Sequence, residues 1–261
     1  MTQPPLSAQI RQLEEEIGSQ LLIRGSRHVQ LTDAGQLFYN RARDIIEQTS
    51  IMRKELDDQK KGDSGTLRIG IVSSVSEIFL QQYALPFTRK FPDIRFELTE
   101  SDTYHLLEMI DSRLLDLVIV RTPFTHKPEY DVLTLDKDHM IAVGRSESFA
   151  IPEGSIHLSD LTGFPLMTYR RWKTILDVYF AERGLSASYF CIADDARTIL
   201  GWAREGLGVA VMPVSAYSDD DPALTASKIM DPVISSEISA VTLQGGYISA
   251  PMRNFLDSLK R

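Results

Sequence analysis

The 261-residue sequence predicts an α/β protein in three parts: a small helix-and-hairpin unit over 1–31, a connecting helix and hinge over 32–65, and a two-lobed α/β domain over 66–261. Three observations carry that prediction. Apolar residues recur at helical spacing at Leu6, Ile10, Leu13 and Ile17. A second apolar series, Phe38, Ala42, Ile45, Thr49, Met52 and Leu56, advances by alternate steps of four and three. From Thr66 onward short strand-like runs alternate with helical stretches, the pattern of a largely parallel sheet.

The first helix has one stripe to bury and a second face carrying Ser7, Gln9, Arg11 and Gln12. These side chains can hydrogen-bond base edges and phosphates, and they lie near a helix start, where a helix-turn-helix reader meets the major groove. A plain surface helix carries the same stripe. The residues immediately downstream bear on the choice. Leu21-Leu22-Ile23 and Val29-Gln30-Leu31 flank a Gly25-Ser26 turn, so a hairpin is expected with Arg24 and Arg27 near its tip. Cations there suit phosphate or minor-groove contact, which anchors a protein without reading sequence. Thr32 then has the chemistry of an N-cap for the next helix.

In that helix the Phe38-to-Leu56 series forms a coiled-coil-like seam with Arg41, Arg43, Asp44, Glu47, Arg53, Lys54 and Glu55 alongside. With fewer than four heptads, a single amphipathic helix lying on its own domain fits the same spacing. Lys60-Lys61-Gly62-Asp63-Ser64-Gly65 reads as a hinge.

In the larger domain, strands are expected over 67–72, 94–98 and 115–120, with helices over 77–90 and 104–112. A second group repeats the theme, with strands over 139–144, 165–168, 189–193 and 209–212 and helices over 172–183 and 196–205. Ligands of open α/β sheets bind at the carboxyl ends of strands, so the candidates are the residues just past each strand. They are Ser73, Ser74 and Ser76; Glu100 and Ser101; Arg121 and Thr122; Thr168 to Arg171, including Arg170; and Asp195, Arg197 and Thr198 at a helix start. Hydroxyls combined with Arg121, Arg170 and Arg197 point to a small anionic effector, such as a carboxylate, held by charge-assisted bonds. Alternatively Arg170, Arg171 and Lys173 form a solvated helix start, and Arg197 is an intramolecular ion-pair partner.

Taken in order, the motifs resemble the LysR-type transcriptional regulators. The N-terminal match is Gln3-Pro4-Pro5-Leu6-Ser7, then Gln9-Ile10-Arg11 and Leu13-Glu14-Glu15, Leu21-Leu22 and Arg24, and Val29, Leu31-Thr32-Asp33-Ala34-Gly35. The C-terminal match includes Leu67-Arg68-Ile69-Gly70-Ile71, Leu115-Asp116-Leu117-Val118-Ile119 and Gly206 to Pro213. The resemblance implies a partial winged helix-turn-helix and linker helix followed by a two-lobed periplasmic-binding-protein-like effector domain. It puts Gln3, Pro4, Ser7, Gln9 and Arg11 at DNA, with Arg24, Arg27 and Thr32 as wing and backbone contacts; Ala8 stands where many relatives carry Arg. It favours the paired linker helix, hence a dimer or tetramer, and it implies promoter DNA and a small-molecule effector as partners.

The resemblance further implies that the final helix, about 250–259, folds back onto lobe I (about 66–141 and 246–261). Lobe II covers about 142–245, with crossings near 142–145 and 242–245. In the family a first helix and most of a second precede the recognition helix, and here Met1 falls in the turn after them. A truncated regulator is therefore expected, or alternatively a cytosolic small-molecule-binding protein that has lost DNA binding.

Composition limits the remaining choices. Residues 1–61 hold nine basic and nine acidic side chains, so the formal net charge of −8 belongs to the C-terminal part. DNA affinity would then rest on locally oriented cations doubled by dimerisation. One cysteine, Cys191, excludes an intramolecular disulfide framework and points to a reducing compartment. No leader or membrane-spanning run stands in the sequence, so a cytoplasmic protein with no membrane partner is expected. The five histidines lack metal-ligand spacing, and no nucleophile elbow, dinucleotide fingerprint or phosphate loop appears. No enzyme activity, cofactor or metal is expected.

Overall fold

The computed structural model describes the chain except residues 1–2, 25–28, 60–63, 218–220, 231–233, 246–247 and 261, and except the side chains of 3–5, 24, 47, 50, 51 and 53–59. The chain divides into two compact units, Met1–Asp57 and Asp58–Arg261.

In the first unit, α1 (Gln3–Ile17) is followed by a hairpin of β1 (Leu22–Arg24) and β2 (Val29–Leu31), paired antiparallel with Ile23 opposite Gln30. Helix α2 runs over Asp33–Gln59. The Glu14 carboxylate ties α1 to the hairpin, accepting the Leu21 and Leu22 N–H groups at 2.8 and 3.0 Å. Thr32 caps α2, since its hydroxyl accepts the Gly35 N–H at 2.9 Å while donating to the Gln20 carbonyl at 2.7 Å. Gly35 is required there because a Cβ would lie 2.0 Å from the Leu21 carbonyl oxygen. The connecting helix is thereby held to the hairpin, and α2 belongs with residues 1–31 as one compact unit.

The second unit has two hydrophobic cores. Lobe I contains β3 (Gly65–Ile71), α3 (Ser76–Phe79), a π turn (Leu80–Ala84), α4 (Leu85–Lys90), β4 (Ile94–Glu100), α5 (Thr103–Asp111) and β5 (Leu117–Arg121). The single helix expected over 77–90 is thus interrupted by a π turn. Strands β4, β3 and β5 are parallel, with Ile69 opposite Leu98 on one side and Leu117 on the other. Strand β6 (Tyr130–Arg145) is 16 residues long and leads into lobe II. Lobe II then adds β7 (Gly154–Ile156), α6 (Leu158–Leu161), β8 (Leu166–Tyr169), α7 (Arg170–Glu182), β9 (Tyr189–Ala193), α8 (Ala196–Arg204), β10 (Val209–Pro213) and β11 (Leu224–Ile229). Strand β12 (Ser235–Leu243) returns to lobe I, and α9 (Ala250–Leu259) closes on its core. The sheet runs β4-β3-β5-β12-β6-β10-β8-β9.

The crossings differ from those expected. Leu133 and Leu135 pack on the lobe I core whereas Met140 belongs to that of lobe II, so β6 crosses near Asp138. Ile234 lies in the second core and Ile238 in the first, so the return crossing is near Ser236. These replace the expected 142–145 and 242–245. The reason is that neither strand breaks at the boundary: β6 and β12 pair antiparallel straight across it, with Asp138 opposite Ser236.

Candidate functional site

Exposure on α1 follows the expected division only in part. Ser7, Gln9 and Arg11 are exposed, while Ile10 and Leu13 are half-buried. Leu6 and Ile17 remain 48 % and 39 % exposed at the two ends of the stripe. Gln3 and Pro4 lie in α1 and Arg24 in β1, but their side chains, like all of Arg27, fall outside what is described. Thr32 takes the expected capping role, its hydroxyl donating to the Gln20 carbonyl and accepting the Gly35 N–H. Along α2, Phe38 and Ala42 are half-buried, whereas Ile45 and Met52 are 66 % and 54 % exposed and Thr49 is also exposed. The Leu56 side chain is among those not described.

At the junction of the two lobes the predicted effector residues are close together, but most are committed to one another. Arg121, at the end of β5, is fully buried. Its Nε donates to Ser74 Oγ at 2.9 Å, and Nη1 donates to Asp138 Oδ2 at 2.7 Å and Ser236 Oγ at 3.4 Å. Nη2 donates to the Ser74 carbonyl at 3.2 Å and to Ser215 Oγ. All five guanidinium N–H groups are therefore satisfied. This corrects the expectation for Arg121: with Ser74 and Asp138 it forms a buried network at the hinge, with no guanidinium donor left for an effector. Ser215 lies in the short turn after β10 and itself donates to Asp138 at 2.5 Å, so the network links both lobes.

Thr168 and Thr122 are likewise internal. The Thr168 hydroxyl, fully buried, donates to the Val211 carbonyl at 3.0 Å, and Thr122 Oγ1 accepts the Glu237 N–H at 2.8 Å. Arg170 Nε donates to Asp194 at 2.5 Å, both groups being exposed, and Arg197 pairs with Glu100. For Arg170 and Arg197 the alternative reading of ion-pair partners and a solvated helix start therefore holds. Glu100 also accepts from Ser76 Oγ at 3.0 Å. Since Glu100 belongs to β4 and Arg197 to α8, that pair ties lobe I to lobe II. Ser101 donates its N–H to the Ile71 carbonyl at 3.3 Å, and Ser73 is half-buried in the turn after β3. Ser76 and Glu100 also border an apolar groove of about 410 Å³ on lobe I, walled by Phe79, Leu80, Phe96 and Leu98.

The residues missed from sequence are Asp138, Ser215 and Ser236. Asp138 gives one weak sign, an acid two residues before the buried run Met140 to Val143. Arg171, on α7, crosses to lobe I: Nη1 donates to Thr103 Oγ1 at 3.1 Å, and Nη2 donates to the Arg121 and Pro123 carbonyls at 2.5 and 2.8 Å. Its pKa is lowered, chiefly by desolvation. Beside it the fully buried Tyr169 hydroxyl accepts the Trp172 indole N–H at 2.6 Å, and burial pushes its pKa up.

A small helix-and-hairpin unit with a long helix, followed in the chain by a two-lobed α/β domain, is the element order of a transcriptional regulator with an effector-binding domain. The chain belongs to the LysR family: residues 60–261 match the LysR substrate binding domain, and residues 1–36 match the bacterial regulatory helix-turn-helix protein of the lysR family. It is a transcriptional regulator with an effector-binding domain. It is 31 % identical over 221 residues to the HTH-type transcriptional regulator AlsR of Bacillus subtilis strain 168, covering 83 % of this chain and 73 % of AlsR. Identity is 28 % over 219 residues to the DNA-binding transcriptional dual regulator OxyR of Escherichia coli K12, covering 83 % and 72 % of the two chains. Among solved structures, CbnR in complex with its target DNA is similar over the whole chain and 90 % of that chain, with a TM-score of 0.80 and 20 % identity. Full-length BenM is similar over the whole chain and 87 % of its own, with a TM-score of 0.65 and 25 % identity. AlsR, OxyR and CbnR are transcriptional regulators. Among the described residues no helix is long and apolar enough to cross a membrane, and no group of three or more His, Cys, Asp or Glu could hold a metal ion.

Proposed function

We propose that the protein is a cytoplasmic regulator that binds promoter DNA as a self-associated species and that a small anionic effector, taken up at the lobe junction, modulates this binding. The observation carrying the DNA reading is the exposed polar face of α1, where Ser7, Gln9 and Arg11 stand clear of the unit's own packing. With no net charge in residues 1–61, affinity depends on such oriented contacts and on doubling them by assembly. Gel-shift titration at fixed salt on the promoter upstream of its own gene tests this. Arg11→Ala is expected to weaken binding by about 1–3 kcal/mol. Equal affinity in the two proteins removes Arg11 from the contacts.

Assembly is assigned to the α2 seam, because Ile45 and Met52 leave apolar surface that a second helix would cover. Ile45→Glu places a charge in the middle of that seam and is expected to shift the protein toward smaller species. Light scattering after size exclusion reads the change; an unchanged mass makes α2 a purely intramolecular element. The effector reading rests on the cations that reach across the lobe junction, where Arg171 and Arg197 each contact the opposite lobe.

A further inference from the structure

Four arginines stand at or beside the lobe junction, and three are paired: Arg121 with Asp138, Arg170 with Asp194 and Arg197 with Glu100. Arg171 differs. Its contacts are a hydroxyl and two backbone carbonyls, all neutral, and its Nε–H is buried with no hydrogen-bond partner. No carboxylate pairs with it among the described residues. A desolvated cation left with neutral acceptors and an unmade hydrogen bond is an unfavourable arrangement, which an anion would relieve.

The unpartnered position also has a specific shape. In a guanidinium, Nε–H and one Nη2–H lie side by side along one edge and match the two oxygens of a carboxylate. On that edge Nε is unpartnered, and Nη2 holds the carbonyls of Arg121 and Pro123. The bond to Pro123 is exposed to solvent, so this is the side from which an anion would approach. Both carbonyls belong to lobe I, at the end of β5 and just after it, whereas Arg171 belongs to α7 of lobe II. The Arg171 side chain is therefore at once a tie between the lobes and an incomplete anion site.

We propose that Arg171 takes the effector's carboxylate on its Nε and Nη2 edge, one ligand oxygen giving Nε its missing partner and the other replacing one of the two carbonyls on Nη2. Binding then releases one lobe-to-lobe tie while the hinge pair Arg121–Asp138 stays intact. Effector occupancy would so be coupled to lobe arrangement, because a ligand shifts an equilibrium by its differential interaction with the two states. The assignment rests on the small-anion reading of the lobe junction and names the residue that carries it.

The test uses the intact chain at constant ionic strength, with acetate, succinate and phenylacetate compared against their uncharged amides in thermal-shift and calorimetric titrations. Carboxylates are expected to bind and the amides not. Arg171→Gln should weaken carboxylate binding at least tenfold, Arg171→Lys should fall between, and Arg170→Gln should behave as the parent. A merely structural role for Arg171 would lower the starting melting temperature of Arg171→Gln but leave its carboxylate affinity at the parental value, and that result overturns the proposal while sparing the small-anion reading. Should the parent bind no carboxylate in preference to its amide, the small-anion reading falls and the proposal with it. Arg171→Lys keeps the charge without the fork, so the comparison stands even where Arg171→Gln folds poorly.

Discussion

Asp138→Ala is expected to destabilise the larger domain by about 3–5 kcal/mol, because it leaves the Arg121 guanidinium buried without its counter-charge. Arg121 has no solvent exposure, and Asp138 is 5 % exposed, so water cannot replace the lost carboxylate. Ser215 and Ser236 would remain as neutral acceptors, but they cannot balance a charge in a low-dielectric site. Chemical denaturation followed by tryptophan fluorescence isolates the effect, since both tryptophans, Trp172 and Trp202, belong to this unit. Asp138→Ala combined with Arg121→Met should recover part of the loss, because no unpaired charge is then buried. The recovery stays incomplete, since the hydroxyls of Ser74, Ser215 and Ser236 lose their common partner. Unfolding of the single variant at the parental denaturant concentration would show that the hinge pair contributes nothing net.

Phe255→Ala should cost about 3–5 kcal/mol for a different reason, the cavity left in a close-packed core. Phe255 is fully buried, with ring centroids 4.9 Å from Phe87, 5.8 Å from Phe96 and 6.1 Å from Phe79, all in edge-on arrangement. It stands on α9, near the end of the chain, whereas its neighbours come from the beginning of lobe I. The same denaturation experiment reads the loss, and Phe255→Leu should recover a good part of it by refilling the volume. A cost below about 1 kcal/mol, well under that of a core truncation, would mean that α9 lies on the surface of lobe I instead of completing its core.

Much of this architecture is legible from residue patterns. The capping of α2 by Thr32 comes from hydroxyl chemistry before a helical run, and the strands of both lobes announce themselves as short apolar segments between turn residues. Strand β12 is not legible: Ser235, Ser236 and Ser239 break its apolar pattern, although Ser236 and Ser239 are buried. The length of β6 is hidden for a similar reason. Its first half mixes polar and apolar residues and ends in the polar run Asp136 to His139, and only its second half, from Met140, is a continuous buried run. Both strands cross between the lobes, so the hinge could not be placed from sequence.

The sequence by itself determined the family, the order of elements and the chemical types gathered at the strand ends, because these depend on local periodicity and on motifs that are contiguous in the chain. It placed arginines and hydroxyls near a cleft without saying which would remain available. Only the tertiary structure decided that, through partners far apart in the chain: Asp138 and Ser215 satisfy Arg121, Glu100 takes Arg197, and Arg171 reaches across to Thr103 and two backbone carbonyls. A guanidinium is free or committed according to which acceptors lie within about 3 Å of its donors. That is a property of folded geometry, and two adjacent arginines, Arg170 and Arg171, are given opposite fates by pointing to different lobes.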